Sequence, residues 1–335
     1  MQGVDTRSMR SMVTSFPSVI RASCLSPSLI DEASVVADAD IGGICLLGMG
    51  GSSIAGQMCR AIVQSESSIP IVTVSDYTLP RYVDHQWAVI AVSYSGNTEE
   101  TINGVKEALA RDSYVFAITS GGELEKMVDK KRLHLIPGGW QPRAALPLMF
   151  PAVYQLCTKI ARVDGEDMEE VGKAVADLSK QWGKTKISPV DLAARVRNRL
   201  PVFIGSEHLV PVAYRARCQV NENAKHAAYH LEVPEGNHND LEAIADYTKH
   251  AMTPVLMTST LYHPRNARRC DILQHLFDEE GLEVVVLESG TGSLLRDVLS
   301  VTHHLDTMSI ELADMYGVNP LDVPRISQFK KMMGR

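Results

Sequence analysis

The sequence predicts an α/β protein made of two similar domains, each a parallel sheet flanked by helices. Three observations lead there. Apolar, β-branched runs such as Trp87-Ala88-Val89-Ile90-Ala91-Val92 are continuous rather than alternating, as expected of strands buried on both faces. These runs alternate with amphipathic stretches of helical spacing, the pattern of a parallel sheet covered by helices. The whole scheme then runs a second time after a charge-rich interval.

Residues 1–40 read as irregular and then helical, a lead-in to the first domain at 41–163. That domain has strand candidates at 41–47, 69–74, 87–93, 113–119 and 132–136, and helices near 53–65, 98–111, 122–130 and 144–163. A polar helical junction covers 164–199, and a second domain covers 200–335. Its strands are expected at 200–205, 227–233, 253–258 and 282–288, with helices at 208–226, 239–248, 265–280 and 293–316. The tail starts with Pro320 and Pro324, and places Ile326, Phe329 and Met332 at helical spacing. Each half sets a Gly-Ser pair just after an early strand: Gly51-Ser52 in the first, Gly205-Ser206 in the second.

At 335 residues the chain is long enough for two cores. A net charge of −7 without a long basic run argues against nucleic acid as a partner. No apolar stretch is long enough to span a membrane, and the first residues lack the pattern of a signal peptide. The six cysteines (Cys24, Cys45, Cys59, Cys157, Cys218, Cys270) are scattered without a C-x-x-C pair, which suits cytosolic thiols. A cytoplasmic protein is expected.

Four segments could carry chemistry. In Ser93-Tyr94-Ser95-Gly96-Asn97-Thr98, the hydroxyls of Ser93, Ser95 and Thr98 crowd a loop between a strand and a helix that Thr98 would cap. Free N–H groups and the helix dipole there favour a phosphate; a plain Ser/Gly turn would use the same residues. Gly48-Met49-Gly50-Gly51-Ser52 also follows a strand, but its glycines fit neither a dinucleotide fingerprint nor a P-loop. It suits close approach of a small anionic or polyhydroxy ligand. Arg143, flanked by Pro142 and Pro147, could supply the cation the serine loop lacks, or sit in an ordinary surface turn. Later, Glu222 lies between Asn221 and Asn223 near a helix end, and His238 sits in a turn between Asn237 and Asn239. A held carboxylate and a loop histidine suit proton transfer, although a solvated helix face and a bystander histidine look much the same. His226, His230, His303 and His304 lack the company of a metal site, so no metal and no cofactor are expected.

Together these segments resemble the bifunctional phosphoglucose/phosphomannose isomerases, built from two sugar-isomerase (SIS) domains. The resemblance runs in order through Gly-Met-Gly-Gly-Ser (48–52), Ser-Tyr-Ser-Gly-Asn-Thr-Glu-Glu-Thr (93–101), Pro-Arg-Ala-Ala-Leu-Pro (142–147), Asn-Glu-Asn-Ala-Lys (221–225) and Asn-His-Asn (237–239). A looser match is Ile-x-x-Phe-Lys at 326–330. The resemblance implies that Gly50, Gly51, Ser52, Ser93, Ser95 and Thr98 hold a sugar phosphate and that Glu222 is the catalytic base. It further implies that His238 helps open the sugar ring, contributed by the neighbouring subunit of a homodimer. Arg143 would steady the intermediate, and Lys330, with Lys331 beside it, would lie near the ring oxygen. Val323 stands where several relatives carry a threonine thought to help with mannose phosphate. The implied activity is metal-independent interconversion of glucose 6-phosphate, and of mannose 6-phosphate, with fructose 6-phosphate through a cis-enediol. A non-catalytic SIS sensor of sugar phosphates would keep the serine loops without needing Glu222, His238 and Lys330. An isomerase of another sugar phosphate is the other alternative.

Overall fold

The structure is a computed structural model describing residues 8–334. It divides into two compact units, Ser15–Ala176 and Asp177–Arg335, the second including Ser8–Thr14. In the first unit the elements are α2 and α3, preceded in the chain by α1 of the second unit (α1 Met9–Thr14, α2 Phe16–Arg21, α3 Pro27–Asp38). They are followed by β1 (Gly43–Gly48), α4 (Gly51–Val63), β2 (Ile71–Val74), β3 (Trp87–Ser93), α5 (Glu99–Ala110), β4 (Tyr114–Thr119), α6 (Gly122–Met127), β5 (Leu133–Leu135) and α7 (Leu146–Ala161). Its five strands are all parallel, in the order β2-β1-β3-β4-β5. Every residue of β1 and β3 is buried, as a central parallel strand requires. Leu47, Val89, Ala91, Val105 and Ala117 belong to one apolar cluster on this sheet, each large side chain contributing roughly 1.5–3 kcal/mol by leaving water.

α8 (Met168–Ser179) crosses the boundary between the units. The second unit continues with α9 (Pro189–Val196), β6 (Leu200–Ser206), α10 (Val210–Asn223), β7 (Tyr229–Val233), β8 (Met252–Ser259), α11 (Pro264–Glu279), β9 (Val285–Ser289), α12 (Leu294–Tyr316) and α13 (Pro324–Met332). The sheet order β7-β6-β8-β9 is again fully parallel and repeats the first four positions of the other sheet. α12 is its central helix, buried over most of its length and packed against α9, α10 and α1.

Several expectations change in detail. Part of the segment read as a lead-in is core: Met9, Met12 and Val13 of α1 are buried, as are Phe16, Ile20 and Leu29. Arg10 pairs with Glu311 and Asp314 of α12. The interval read as a junction holds α9, which buries Leu192, Ala193 and Val196. The α-helix expected at 239–248 is instead 3-10 helix, at Glu235–His238 and Asp240–Asp246. In Asp240–Asp246 only Ile244 is buried, so the segment lacks the apolar stripe on which a longer α-helix is built. Among the described residues no helix is long and apolar enough to cross a membrane.

Candidate active site

In the first unit the chain order reverses between β1 and β3, which are hydrogen-bonded neighbours with Gly48 paired to Val92. Loops leaving the carboxyl ends of two such strands diverge and open a crevice, the usual ligand position in an open parallel sheet. The two loops that emerge there are the glycine loop and the serine loop. Both lead into helix N-termini, α4 and α5, whose dipoles favour an anion.

The serine loop is a tight turn that depends on Gly96. Its φ is +67°, and a Cβ there would lie 1.7 Å from the Gly121 carbonyl oxygen. Ser93 is buried and its hydroxyl donates to Thr98 Oγ1 at 3.0 Å. Thr98 stands at the start of α5 but its side chain makes no capping bond, contrary to expectation. Instead, its hydroxyl is engaged across the loop. Ser95 is exposed, its Oγ accepting from Asn97 N at 3.3 Å. Tyr94 braces the loop from behind: its hydroxyl donates to the Pro137 carbonyl at 3.1 Å and accepts from Trp140 N at 2.8 Å. That bracing fixes the approach to residues 141–144, a role for Tyr94 that the sequence motif did not suggest.

The glycine loop receives Arg143. Gly50 has φ +53° and precedes α4, while a Cβ on Gly51 would meet the Pro142 carbonyl oxygen at 3.1 Å and Arg143 Cα at 3.5 Å. The short 3-10 helix Pro142–Ala144 thus lies directly on Gly51, and Arg143 is 6% exposed with a guanidinium nitrogen 3.4 Å from Gln141 Oε1. Ser52 is buried at the start of α4, and its hydroxyl donates to Met149 Sδ at 3.5 Å. The first unit therefore gathers Gly50, Gly51, Ser52 and Arg143 at one strand end and Ser93, Ser95 and Thr98 at its neighbour. Hydroxyls, helix termini and a largely buried cation are the kinds of group that favour an anion, which makes this a candidate phosphate cradle.

The second unit carries the other candidates. Glu222 is half-buried in the last turn of α10. One to two turns of that helix are fastened to α12: Arg215 Nε and a terminal nitrogen donate to both carboxylate oxygens of Asp306 at 2.9 and 2.6 Å, with each side chain 3% exposed. Asn223 Nδ2 also donates to Ser309 Oγ at 2.9 Å. A bidentate buried pair holds geometry tightly, and breaking one costs about 3–5 kcal/mol. His238 is exposed in the short turn after β7, and Lys330 is exposed on α13. His230 lies on β7 and His226 in the loop before it. Among the described residues no group of three or more His, Cys, Asp or Glu could hold a metal ion.

At the second unit's own switch point, between β6 and β8, the polar side chains are engaged with the protein itself. Ser206, of the Gly-Ser pair that ends β6, is fully buried with its hydroxyl donated to the Val233 carbonyl at 2.8 Å. Asp297, a residue the sequence did not single out, is fully buried in the first turn of α12. Its carboxylate accepts from Ser259 Oγ at 2.6 Å and from Thr291 N and Oγ1 at 3.0 and 2.8 Å, with His208 Nε2 at 3.4 Å. Although burial opposes its charge, hydrogen bonds from His208, Ser259, Ser289 and Thr291 hold it well below the usual carboxylate range. A cavity of about 930 Å³ nearby is lined by Trp182, Lys186, Ser259, Ser289 and His304 and includes none of Glu222, His238 or Lys330.

Comparison with known proteins gives two family matches: the SIS domain over residues 39–136, and the bacterial phospho-glucose isomerase C-terminal SIS domain over 187–333. The chain is 34% identical over 306 residues to a bifunctional phosphoglucose/phosphomannose isomerase of Caldicellulosiruptor bescii, covering 88% of this chain and 90% of that one. It is 36% identical to the protein of the same name from Thermoplasma acidophilum, covering 86% and 88%. A D-glucosamine-6-phosphate 4-epimerase of Sulfolobus acidocaldarius is 31% identical over 64% of this chain and 68% of its own. Among solved structures, tagatose-6-phosphate ketose/aldose isomerase from Escherichia coli shares the fold, with a TM-score of 0.72 at 16% identity over 95% of this chain and 96% of that one.

Proposed function

The chain belongs to the family of bifunctional phosphoglucose/phosphomannose isomerases, and we infer from this membership that it interconverts glucose 6-phosphate and mannose 6-phosphate with fructose 6-phosphate. The observation that carries the reading is that a chain about one-third identical to such enzymes over most of its length holds both the glycine and serine loops at the first unit's switch point and a half-buried carboxylate, Glu222, at the end of α10. Ser93, Ser95, Thr98, Gly50, Gly51 and Ser52 hold the phosphate. Glu222 takes a proton from C1 of open-chain fructose 6-phosphate, and the electron pair forms the C1–C2 double bond. Arg143 steadies the negative charge that reaches O2. The Glu222 carboxyl returns the proton to C2 while a proton passes from O1 to O2, which yields the aldose. C2 is planar in the enediolate, so delivery to either face gives the glucose or the mannose epimer if the pocket allows rotation about C2–C3. His238 and Lys330 serve ring opening as acid and base.

The reading places the protein in the cytoplasm, in glycolysis and gluconeogenesis, as a homodimer to which each subunit lends His238. The decisive assay supplies fructose 6-phosphate in the presence of EDTA and follows glucose 6-phosphate and mannose 6-phosphate separately. Both should form. Conversion to neither would favour a sugar-phosphate sensor, and turnover of D-glucosamine 6-phosphate instead would favour the chemistry named for the Sulfolobus relative. Mixing Glu222→Gln and His238→Ala subunits tests the shared site: restored activity is expected, and none would place both residues in one subunit's site.

A further inference from the structure

The last turn of a helix leaves carbonyls without intrahelical donors, and many helices close with glycine in the left-handed region. α10 closes differently. Past its cap at Ala224, the chain turns at Lys225 with φ +54°, a region uncommon for a side chain of this kind. The lysine side chain then turns back on the helix end. Its ammonium donates to the carbonyls of Glu222 at 2.9 Å, Asn223 at 3.2 Å and Asn319 at 2.7 Å. An ammonium has three protons and no acceptor capacity, so these three carbonyls match its full donor set. The first two belong to the turn that carries Glu222. The third opens the segment leading to α13, where the Asn319 side chain builds a turn: Oδ1 accepts from Leu321 N and Nδ2 donates to Asp322, both at 3.0 Å. Glycine would relieve the backbone conformation but has no side chain to bridge the two segments. Lysine in the left-handed region joins the two pieces.

We propose that Lys225 is a positioning residue: its ammonium clamps the turn bearing Glu222 to the segment that leads into the helix bearing Lys330. It thereby sets the approach of the Glu222 carboxylate to C1 and C2. The proposal rests on Glu222 being the base. Its test uses the full chain with Lys225→Gly, Lys225→Met and Lys225→Arg, measuring kcat, KM for fructose 6-phosphate, and Tm. Lys225→Gly and Lys225→Met should each lower kcat roughly ten- to a hundredfold, the scale of a misplaced catalytic group, with KM changed less than about twofold. Lys225→Gly should melt no lower than Lys225→Met, because glycine removes the positive-φ cost, and Lys225→Arg should recover part of kcat. A Lys225→Gly variant with wild-type kcat, or kcat losses that simply follow Tm across the three, would overturn the proposal. Combining Lys225→Met with Glu222→Gln should add less than about a twofold further loss, since the lysine acts through the glutamate; full additivity would also overturn it. Near-normal activity of Glu222→Gln alone would remove the base assignment and the proposal together, a result no Lys225 variant can mimic.

Discussion

The two sheets share a strand order, yet their switch points are built for opposite ends. In the first unit, the ends of β1 and β3 present small residues, hydroxyls and Arg143 beside two helix N-termini, the second of which carries Glu99 and Glu100 in its first turn. In the second, the ends of β6, β8 and β9 present similar hydroxyls, Ser259, Ser289 and Thr291, but these already bind an anion that the chain supplies, Asp297. Donors that are turned on an internal carboxylate are not offered to a phosphate, and the negative charge would repel one. On the proposed reading, the same topology serves as a binding site once and as a scaffold once. The scaffold unit is the one that carries Glu222, His238 and Lys330.

The largest effect should come from the carboxylate. Glu222→Gln is expected to lower kcat by roughly two to four orders of magnitude while KM stays within about threefold. Steady-state kinetics that show a large KM change with little loss of kcat would shift the binding role into the second unit and break the contrast. Next, Asp297→Ala should destabilise the second unit by about 3–5 kcal/mol, as removal of one member of a buried charged network does. Denaturant unfolding measures this. Unchanged stability would show that the internal anion is dispensable.

Acid should also separate the units. His303 and His304 are buried and their basicity is pushed down to about 4, mainly by burial. The unfolded chain, with histidines near 6.5, then binds more protons than the folded one between roughly pH 6.5 and 4, so stability falls as pH falls through that window. The slope is on the order of 1.4 kcal/mol per pH unit for each histidine. Asp297 works lower: its contribution is complete above the unfolded carboxylate value of about 4 and declines only below it. Trp182, whose ring stands 5.0 and 5.2 Å from the two imidazoles, reports the first transition by fluorescence. The signal should change below about pH 6 and be missing in Trp182→Phe; a flat response would mean the histidines do not govern acid stability.

Smaller effects belong to the cradle. Ser95→Ala should raise KM about tenfold, the worth of one hydrogen bond to a charged group, with kcat nearly unchanged. Smallest of all, Val323→Thr at the start of α13 should raise the rate with mannose 6-phosphate a few-fold relative to glucose 6-phosphate, as one added hydrogen bond would. Product-resolved assays of both aldoses check the ratio.

Much of the fold, and the residue types of the candidate site, are legible in the residues alone. The strand expected at 87–93 is β3 at Trp87–Ser93, because a strand buried on both faces must be apolar at every position, and that run is visible locally. The serine loop, the glycine loop and Glu222 are visible for a related reason: a chemistry that needs glycine, hydroxyls or a carboxylate writes them as residue types. What stays hidden depends on who is next to whom. Thr98 reads as a helix cap, but Ser93, five residues away, takes its hydroxyl into a different bond. Ser206 stands in a Gly-Ser pair placed like Gly51-Ser52, but β7 supplies the carbonyl that consumes its hydroxyl. Asp297 looks like any acidic residue in a helix's first turn until the ends of two strands converge on it.

The sequence by itself determined the class of fold, the doubling of the scheme and the kinds of group that would do chemistry. These follow from local periodicity and from residue type. Tertiary structure alone decided that Arg143 lies on Gly51, that Asp297 engages the hydroxyls at the second switch point, and that Lys225 ties a helix end to a distant turn. Each is a hydrogen bond or close approach between residues far apart in the chain. Which donor meets which acceptor is settled only when the packed sheets and helices fix their distances.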